Sequence, residues 1–129
     1  MHTVIAICTG ACLGALLRWA LGLWLNHAGA FLPWGTLAAN LIGGYLVGVC
    51  VAYFQHHLEL DPVWRLLLVT GFLGALTTFS SFSAEVVEML LHQRYTQALA
   101  TAALHLGGSL LLTVAGIKTM GLWLAARSG

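Results

Sequence analysis

Four apolar runs, separated only by short polar turns, occupy nearly all of this 129-residue chain. A helix that crosses a bilayer needs about 20 predominantly apolar residues, at ~1.5 Å rise over a ~30 Å hydrocarbon core. The runs fall at about residues 3–25, 35–54, 63–91 and 96–124. The chain therefore reads as an all-α membrane protein, a single transmembrane domain over residues 1–129 with four spanning helices. A water-soluble fold is excluded by charge: 7% of residues are charged, against roughly 25% in soluble domains. So little chain remains for loops that no soluble catalytic domain, ectodomain or nucleotide-binding unit fits. Any function lies within or between the helices.

The turns carry the polar residues. Asn26-His27-Ala28-Gly29 with Pro33 marks the first, Gln55-His56-His57 with Glu59, Asp61 and Pro62 the second, and His92-Gln93-Arg94 the third. Trp24, Trp34, Trp64 and Trp123 fall at span boundaries, where indoles prefer the membrane interface. Cys8, Cys12 and Cys50 lie inside apolar runs and read as small buried hydrophobes rather than a disulfide framework. The first run exceeds the core of a signal peptide and lacks a preceding Lys or Arg, so it reads as a retained span. A net charge of +1 offers no basic surface for nucleic acid.

Positive charge selects the cytoplasmic side of a span. Here Arg65, Lys118 and Arg127 sit toward one side, and Arg18 and Arg94 toward the other. So small a bias predicts insertion in both orientations and an antiparallel homodimer, the alternative being a single orientation set by other factors. Many transporters build a midplane site from two inverted halves. This chain has no internal duplication, so an inverted copy would supply the second half. Gly10 with Gly14 and Gly44 with Gly48, at GxxxG spacing, are expected to permit the close helix packing this requires.

Polar residues at membrane depth must find a partner or line a wet path. The segment from Gly71 to Glu85 places five hydroxyls, Thr77, Thr78, Ser80, Ser81 and Ser83, within seven positions. Adjacent β-branched threonines beside glycines weaken a helix, so a break near the middle of the third span is expected. A break frees backbone carbonyls suited to a hard cation such as Na⁺. Hydroxyls that bond back to their own helix, bending it only, account for the same pattern. Phe79 and Phe82 share a helix face, and their ring edges carry positive potential that favours an anion without trapping it. Packing in a helix interface explains that spacing too. Asn40, alone in the second span, offers two amide donors to an anion or to another helix. In the fourth span His105, Ser109 and Thr113 follow at i, i+4 and i+8 and form a polar stripe, either a track of donors or interhelical hydrogen bonds. Arg18 either concentrates anions in a vestibule or snorkels to the headgroups. Glu85 is deep enough to need a partner.

Taken together, Gly14-Ala15-Leu16-Leu17-Arg18-Trp19, Gly35-Thr36-Leu37 through Asn40 to Gly44, the Gly71 to Glu85 stretch, and Gly108-Ser109 with Thr113 resemble the Fluc/CrcB family of fluoride channels. The Thr77-Thr78-Phe79-Ser80-Ser81-Phe82-Ser83 segment is the most specific part of the match. The resemblance implies a dual-topology antiparallel dimer in the bacterial inner membrane, with two pores for passive fluoride export and a central Na⁺ between subunits. It implies that Phe79 and Phe82 are pore phenylalanines and Asn40 a fluoride-facing donor. Ser80, Ser81, Ser109 and Thr113 would belong to the polar track, with Arg18 near the vestibule. The Na⁺ ligands would be the backbone carbonyls of Gly74 and Thr77. The chain departs from the pattern at Ala75, where the family has a second glycine, and at Ser81, where threonine is frequent. Neither change removes a carbonyl or a hydroxyl.

Other classes are less well served. A small four-helix multidrug or cation exporter would need a buried carboxylate, most tellingly in the first span, which has none. An accessory subunit would use its polar residues only to bind partner helices. An enzyme would need a nucleophile-base pair or a metal-ligand constellation, and none stands out.

Overall fold

Lipid cannot satisfy backbone N–H and C=O groups, so each apolar run closes its hydrogen bonds within itself as a helix. The computed structural model describes residues Met1–Gly129, and the chain contains helices and no strands. Four helical stretches are long and apolar enough to cross a membrane: His2–Leu25, Trp34–His56, Pro62–Leu91 and Tyr95–Ser128. Only 22 of 129 residues are buried, and the exposed set includes many Leu, Val, Ile and Trp side chains. Such a surface is suited to lipid or to another apolar chain.

The third and fourth spans are not uniform helices. The third begins at Pro62, whose preceding residue Asp61 caps it by accepting from Val63 N at 2.9 Å. It widens into a π-helix over Leu66–Leu73, returns to α over Gly74–Leu76, and resumes as α over Phe79–Leu91. The fourth runs α over Tyr95–Ala103, π over Leu104–Gly108 and α over Ser109–Ser128. The π-turn at Leu104–Gly108 spans His105 and shifts the register of the polar stripe expected from uniform helical spacing.

The two GxxxG pairs act inside one chain. The first span packs on the third: a Cβ at Gly10 would collide with Leu67 O, and one at Gly14 with Phe72 O. The second packs on the fourth: a Cβ at Gly48 would collide with Thr113 O, and one at Gly116 with Tyr45 O. These glycines bring backbones together within the protomer, so they do not mark a contact between copies. Leu21, Ala39, Leu73 and Leu76 fill the centre where the first three spans meet. Cys8 and Cys12 are exposed on the outer face of the first span and Cys50 is half-buried, so only Cys50 approaches the buried role expected of all three.

Gly48→Ala therefore forces the second and fourth backbones apart and is expected to destabilise by about 1–3 kcal/mol, as overpacking does. Gly107→Ala adds a carbon that meets nothing within 4 Å and is expected to stay within about 1 kcal/mol of the parent. Thermal unfolding of the two variants in detergent, side by side, measures the difference. Equal melting would remove close approach as the role of Gly48.

Candidate functional site

Two consecutive β-branched residues lie between the two helical parts of the third span. Thr77 has φ −80° and ψ 149°, and Thr78 has φ −148° and ψ 113°, the extended region that threonine favours. Thr78 then caps the following helix, its Oγ1 accepting from Ser81 N at 3.1 Å. The backbone groups released here are taken up across the bundle by Asn40. Thr78 N donates to Asn40 Oδ1 at 2.7 Å, and Asn40 Nδ2 donates to Thr78 O at 3.1 Å. One amide side chain in the second span thus replaces the helical bond that Thr78 N lacks, and adds a second partner to Thr78 O, the N-cap carbonyl of the following helix.

The diverted donors leave specific carbonyls unpaired within their own helix. Thr78 N would serve Gly74 O in a continuous α-helix, and Ser81 N would serve Thr77 O. Both are engaged elsewhere. Gly74 is also exposed on the outer face of the chain. This pair of oxygens fits a hard cation in donor chemistry, though two ligands from one chain form only part of a coordination shell.

Around Asn40 the aromatic residues gather. Phe79 and Phe82 meet edge to face with centroids 5.5 Å apart, and Phe82 stacks on the His105 ring at 4.7 Å. His105 Nδ1 lies 2.9 Å from Asn40 Nδ2. Asn40, Thr77, Thr78, Phe79, Phe82 and His105 line one cavity of about 480 Å³, with Ser109 and Gly74 also on its wall. Its polar groups carry no formal charge apart from any on His105. Phe79 is 79% exposed, so its ring is not held by packing within one protomer.

A second cavity, of about 520 Å³, shares Thr78 with the first and is also lined by Arg18, Asn26, Thr36, Ser81 and Glu85. Arg18 Nε donates to Ala75 O at 3.0 Å, another carbonyl released near the extended segment. Arg18 therefore reaches inward at this point instead of to the headgroups. Glu85 accepts from Thr36 Oγ1 at 2.5 Å through Oε1, while its Oε2 is buried without a partner. Thr36 supplies the partner that Glu85 needed. Thr78 and Ser81 are hydroxyls within hydrogen-bonding distance of each other, 3.1 Å apart, and Ser80 Oγ lies 3.3 Å from Thr78 Oγ1.

The remaining expected residues divide. Ser109 reaches the first cavity. The Thr113 hydroxyl donates to Gly44 O and Ser109 O, at 2.9 and 2.8 Å, so its proton serves helix packing rather than an open track. Ser83 donates back to Phe79 O at 2.8 Å. Away from the membrane, Glu59 pairs with His57 Nδ1 at 2.9 Å. Its own backbone N–H, then the His57 hydrogen bond, holds the carboxyl below the usual range. A depressed value means that any stabilisation is present at neutral pH and fades as pH falls through it.

The links of Asn40 to Thr78 and of Thr36 to Glu85 join residues far apart in the chain, and sequence spacing alone does not pair them. The usable signal was chemical. Each is a polar group at membrane depth, and each must find another.

Residues 5–117 match the family described as CrcB-like protein, Camphor Resistance (CrcB). A protein of Albidiferax ferrireducens is 73% identical over 119 residues, covering 92% of this chain and 91% of its own length. One from Variovorax paradoxus is 67% identical over 117 residues, covering 91% and 93%. One from Paracidovorax citrulli is 59% identical over 122 residues, covering 95% and 96%. All three are named fluoride-specific ion channel FluC.

Proposed function

Because the chain belongs to the CrcB family, we propose that it is a fluoride-selective ion channel that passively exports cytoplasmic fluoride and protects the cell from it. It is a multi-pass membrane protein and not an enzyme. The observation that carries the reading is the cavity where Asn40, Thr78, Phe79, Phe82 and His105 converge at the extended segment of the third span. Fluoride is small and strongly hydrated. A selective path must replace its water with closely spaced donors, yet a fixed buried cation would hold it too tightly to release. Hydroxyls, imidazole N–H and the positive edges of aromatic rings meet both needs.

The third span is broken at Thr77-Thr78, and the helix Phe79–Leu91 points its N-terminus at the break. That end carries partial positive charge, which favours an anion there. Arg18 lies in the vestibule that meets the first cavity at Thr78, where it raises the local anion concentration while its Nε is tied to Ala75 O.

The channel assembles as an antiparallel, dual-topology homodimer in the bacterial inner membrane. The near-equal division of its five cations supports insertion both ways, and the exposed Phe79 and Gly74 support a second copy on that face. Carbonyls of Gly74 and Thr77, doubled by the partner, would hold a Na⁺ at the centre. When bound, that ion supplies the charge that ties the two breaks together.

A bacterium lacking its own fluoride exporter tests the physiological role. Expression of this chain is expected to restore growth in millimolar fluoride. Continued sensitivity despite membrane expression would overturn the export reading. Replacing external and internal Na⁺ with N-methylglucamine is expected to reduce flux through the purified protein, and unchanged flux would remove the cation from the proposal.

A further inference from the structure

A continuous third span would carry four hydrogen bonds across Thr77-Thr78, from the N–H groups of residues 78 to 81 to the carbonyls of residues 74 to 77. None of the four forms. Two of the donors are diverted, Thr78 N to Asn40 Oδ1 and Ser81 N to Thr78 Oγ1. On the acceptor side one carbonyl is taken by a side chain: Ala75 O, which receives Arg18 Nε–H at 3.0 Å. In an unbroken helix that oxygen belongs to Phe79 N–H, so Arg18 stands where the helix would continue. Backbone packing brings it there. Gly10, Gly14 and Arg18 follow at i, i+4 and i+8 and share one face of the first span. A Cβ at Gly10 would meet Leu67 O and one at Gly14 would meet Phe72 O, while the Arg18 side chain meets Ala75 O. That face follows the third-span carbonyls as far as the break and ends on a donor. The first helical part of the third span also stops here, at Leu76, and a cation is favoured at such a C-terminal end.

We propose that Arg18 is a positioning residue that keeps the third span broken, its Nε–H holding Ala75 O so that Phe79 N–H cannot return to it. This role is separate from any attraction of its charge for anions. The bond is made by Nε, the guanidinium nitrogen nearest the main chain, so its place is fixed by the backbone contacts at Gly10 and Gly14 and not by a mobile side-chain tip. With Ala75 O released in a setting where water is scarce, the nearest unused donor is Phe79 N–H, and that bond would draw Thr77 and Thr78 into the helix. The extended pair, the carbonyls of Gly74 and Thr77, and the placement of Phe79 and Phe82 would then be lost together. Two side chains from two spans thus hold the break, Asn40 on its donor side and Arg18 on its acceptor side.

Two substitutions separate the bond from the charge. Glutamine Nε2 stands as many bonds from the main chain as arginine Nε, so Arg18→Gln keeps the donor and removes the charge. Arg18→Met keeps the length and removes both. Residues 77 and 78 are the only adjacent threonines in the chain, so full-length protein labelled with ¹³C-carbonyl, ¹⁵N-threonine in lipid nanodiscs gives one sequential cross-peak, which reports the Thr77 carbonyl shift. That shift is expected in the extended range for the parent and Arg18→Gln, and in the helical range for Arg18→Met. The flux arm rests on the fluoride-channel reading. In liposomes Arg18→Gln is expected to slow fluoride by about threefold at low ionic strength, a loss that fades in about 1 M salt. Arg18→Met is expected to slow it by about tenfold or more at either ionic strength, the scale of a lost hydrogen bond. An extended Thr77 shift in folded Arg18→Met would overturn the proposal, as would equal behaviour of the two variants in spectrum and flux. If Arg18→Met does not fold, Arg18→Gln decides: an extended shift with a salt-reversible loss supports the proposal, and a helical shift or a loss that salt does not reverse overturns it. Parent protein that passes no fluoride would defeat the channel reading instead, and the Thr77 shifts would still decide the role of Arg18.

Discussion

Asn40→Leu is expected to abolish fluoride flux and to lower the thermal stability of the protein. Leucine keeps the branched shape and heavy-atom count of asparagine and removes its hydrogen bonds. Thr78 N–H then loses its partner, and Thr78 C=O keeps only its bond within the following helix, in a setting where water is scarce. Each unsatisfied buried backbone group costs about 1–3 kcal/mol, so the extended segment is left to find another conformation. The obvious one is a continuous helix, with Thr78 N returned to Gly74 O. That change would close the carbonyl pair, move Phe79 and Phe82 around the helix axis, and free His105 Nδ1 from its donor. Flux assays and unfolding in detergent measure the two effects together. A folded Asn40→Leu variant with parental flux and parental melting would show that Asn40 does not hold the segment.

Phe82→Ile should separate chemistry from packing. The Phe82 ring contacts both Phe79 and the His105 imidazole, and isoleucine keeps apolar bulk while removing the quadrupole. A conservative apolar exchange costs less than about 1.5 kcal/mol of stability. The loss of a positive ring edge at the path is expected to slow fluoride by about tenfold or more, equivalent to roughly 1.4 kcal/mol at the barrier. Phe79→Ile is expected to slow flux with still less effect on the isolated protomer, because that ring is exposed. Initial efflux rates, normalised to folded protein, check both. Parental rates in both variants would return the two rings to helix packing.

The helical architecture was largely legible from the chain. Lipid leaves a backbone few options, and interruptions by Asn26, Pro33, Pro62 and Arg94 sit where helices must turn. The π-turns were not legible. One added residue per turn depends on what packs against the helix, and for Leu66–Leu73 that includes Gly10 and Gly14 on the first span. The GxxxG spacing announced close approach without saying which helices approach. Its partners turned out to be carbonyls of the same protomer.

The site was legible as a set of unusual residues more than as a geometry. Asn40, Phe82, Ser109 and the threonine pair stand out in an apolar chain, and they line one cavity. The direction of their hydrogen bonds did not follow from residue type. Asparagine at membrane depth reads equally as a ligand donor or as a bond between helices, and its contacts with Thr78 and His105 supply the second. Thr113 shows the same outcome, for a hydroxyl in the expected stripe is taken by carbonyls of Gly44 and Ser109. Glu85 required a partner by physical necessity, and Thr36 at the start of the second span provides it. Nothing in the spacing of those two residues could have paired them.

The most direct measurement compares anions in one preparation. Purified protein is reconstituted into liposomes loaded with potassium fluoride or potassium chloride in the presence of sodium, and efflux is started with valinomycin. Rapid fluoride efflux with chloride efflux near that of protein-free vesicles is the expected result. Comparable rates for the two anions, or no fluoride efflux from folded protein, would contradict a fluoride-selective channel.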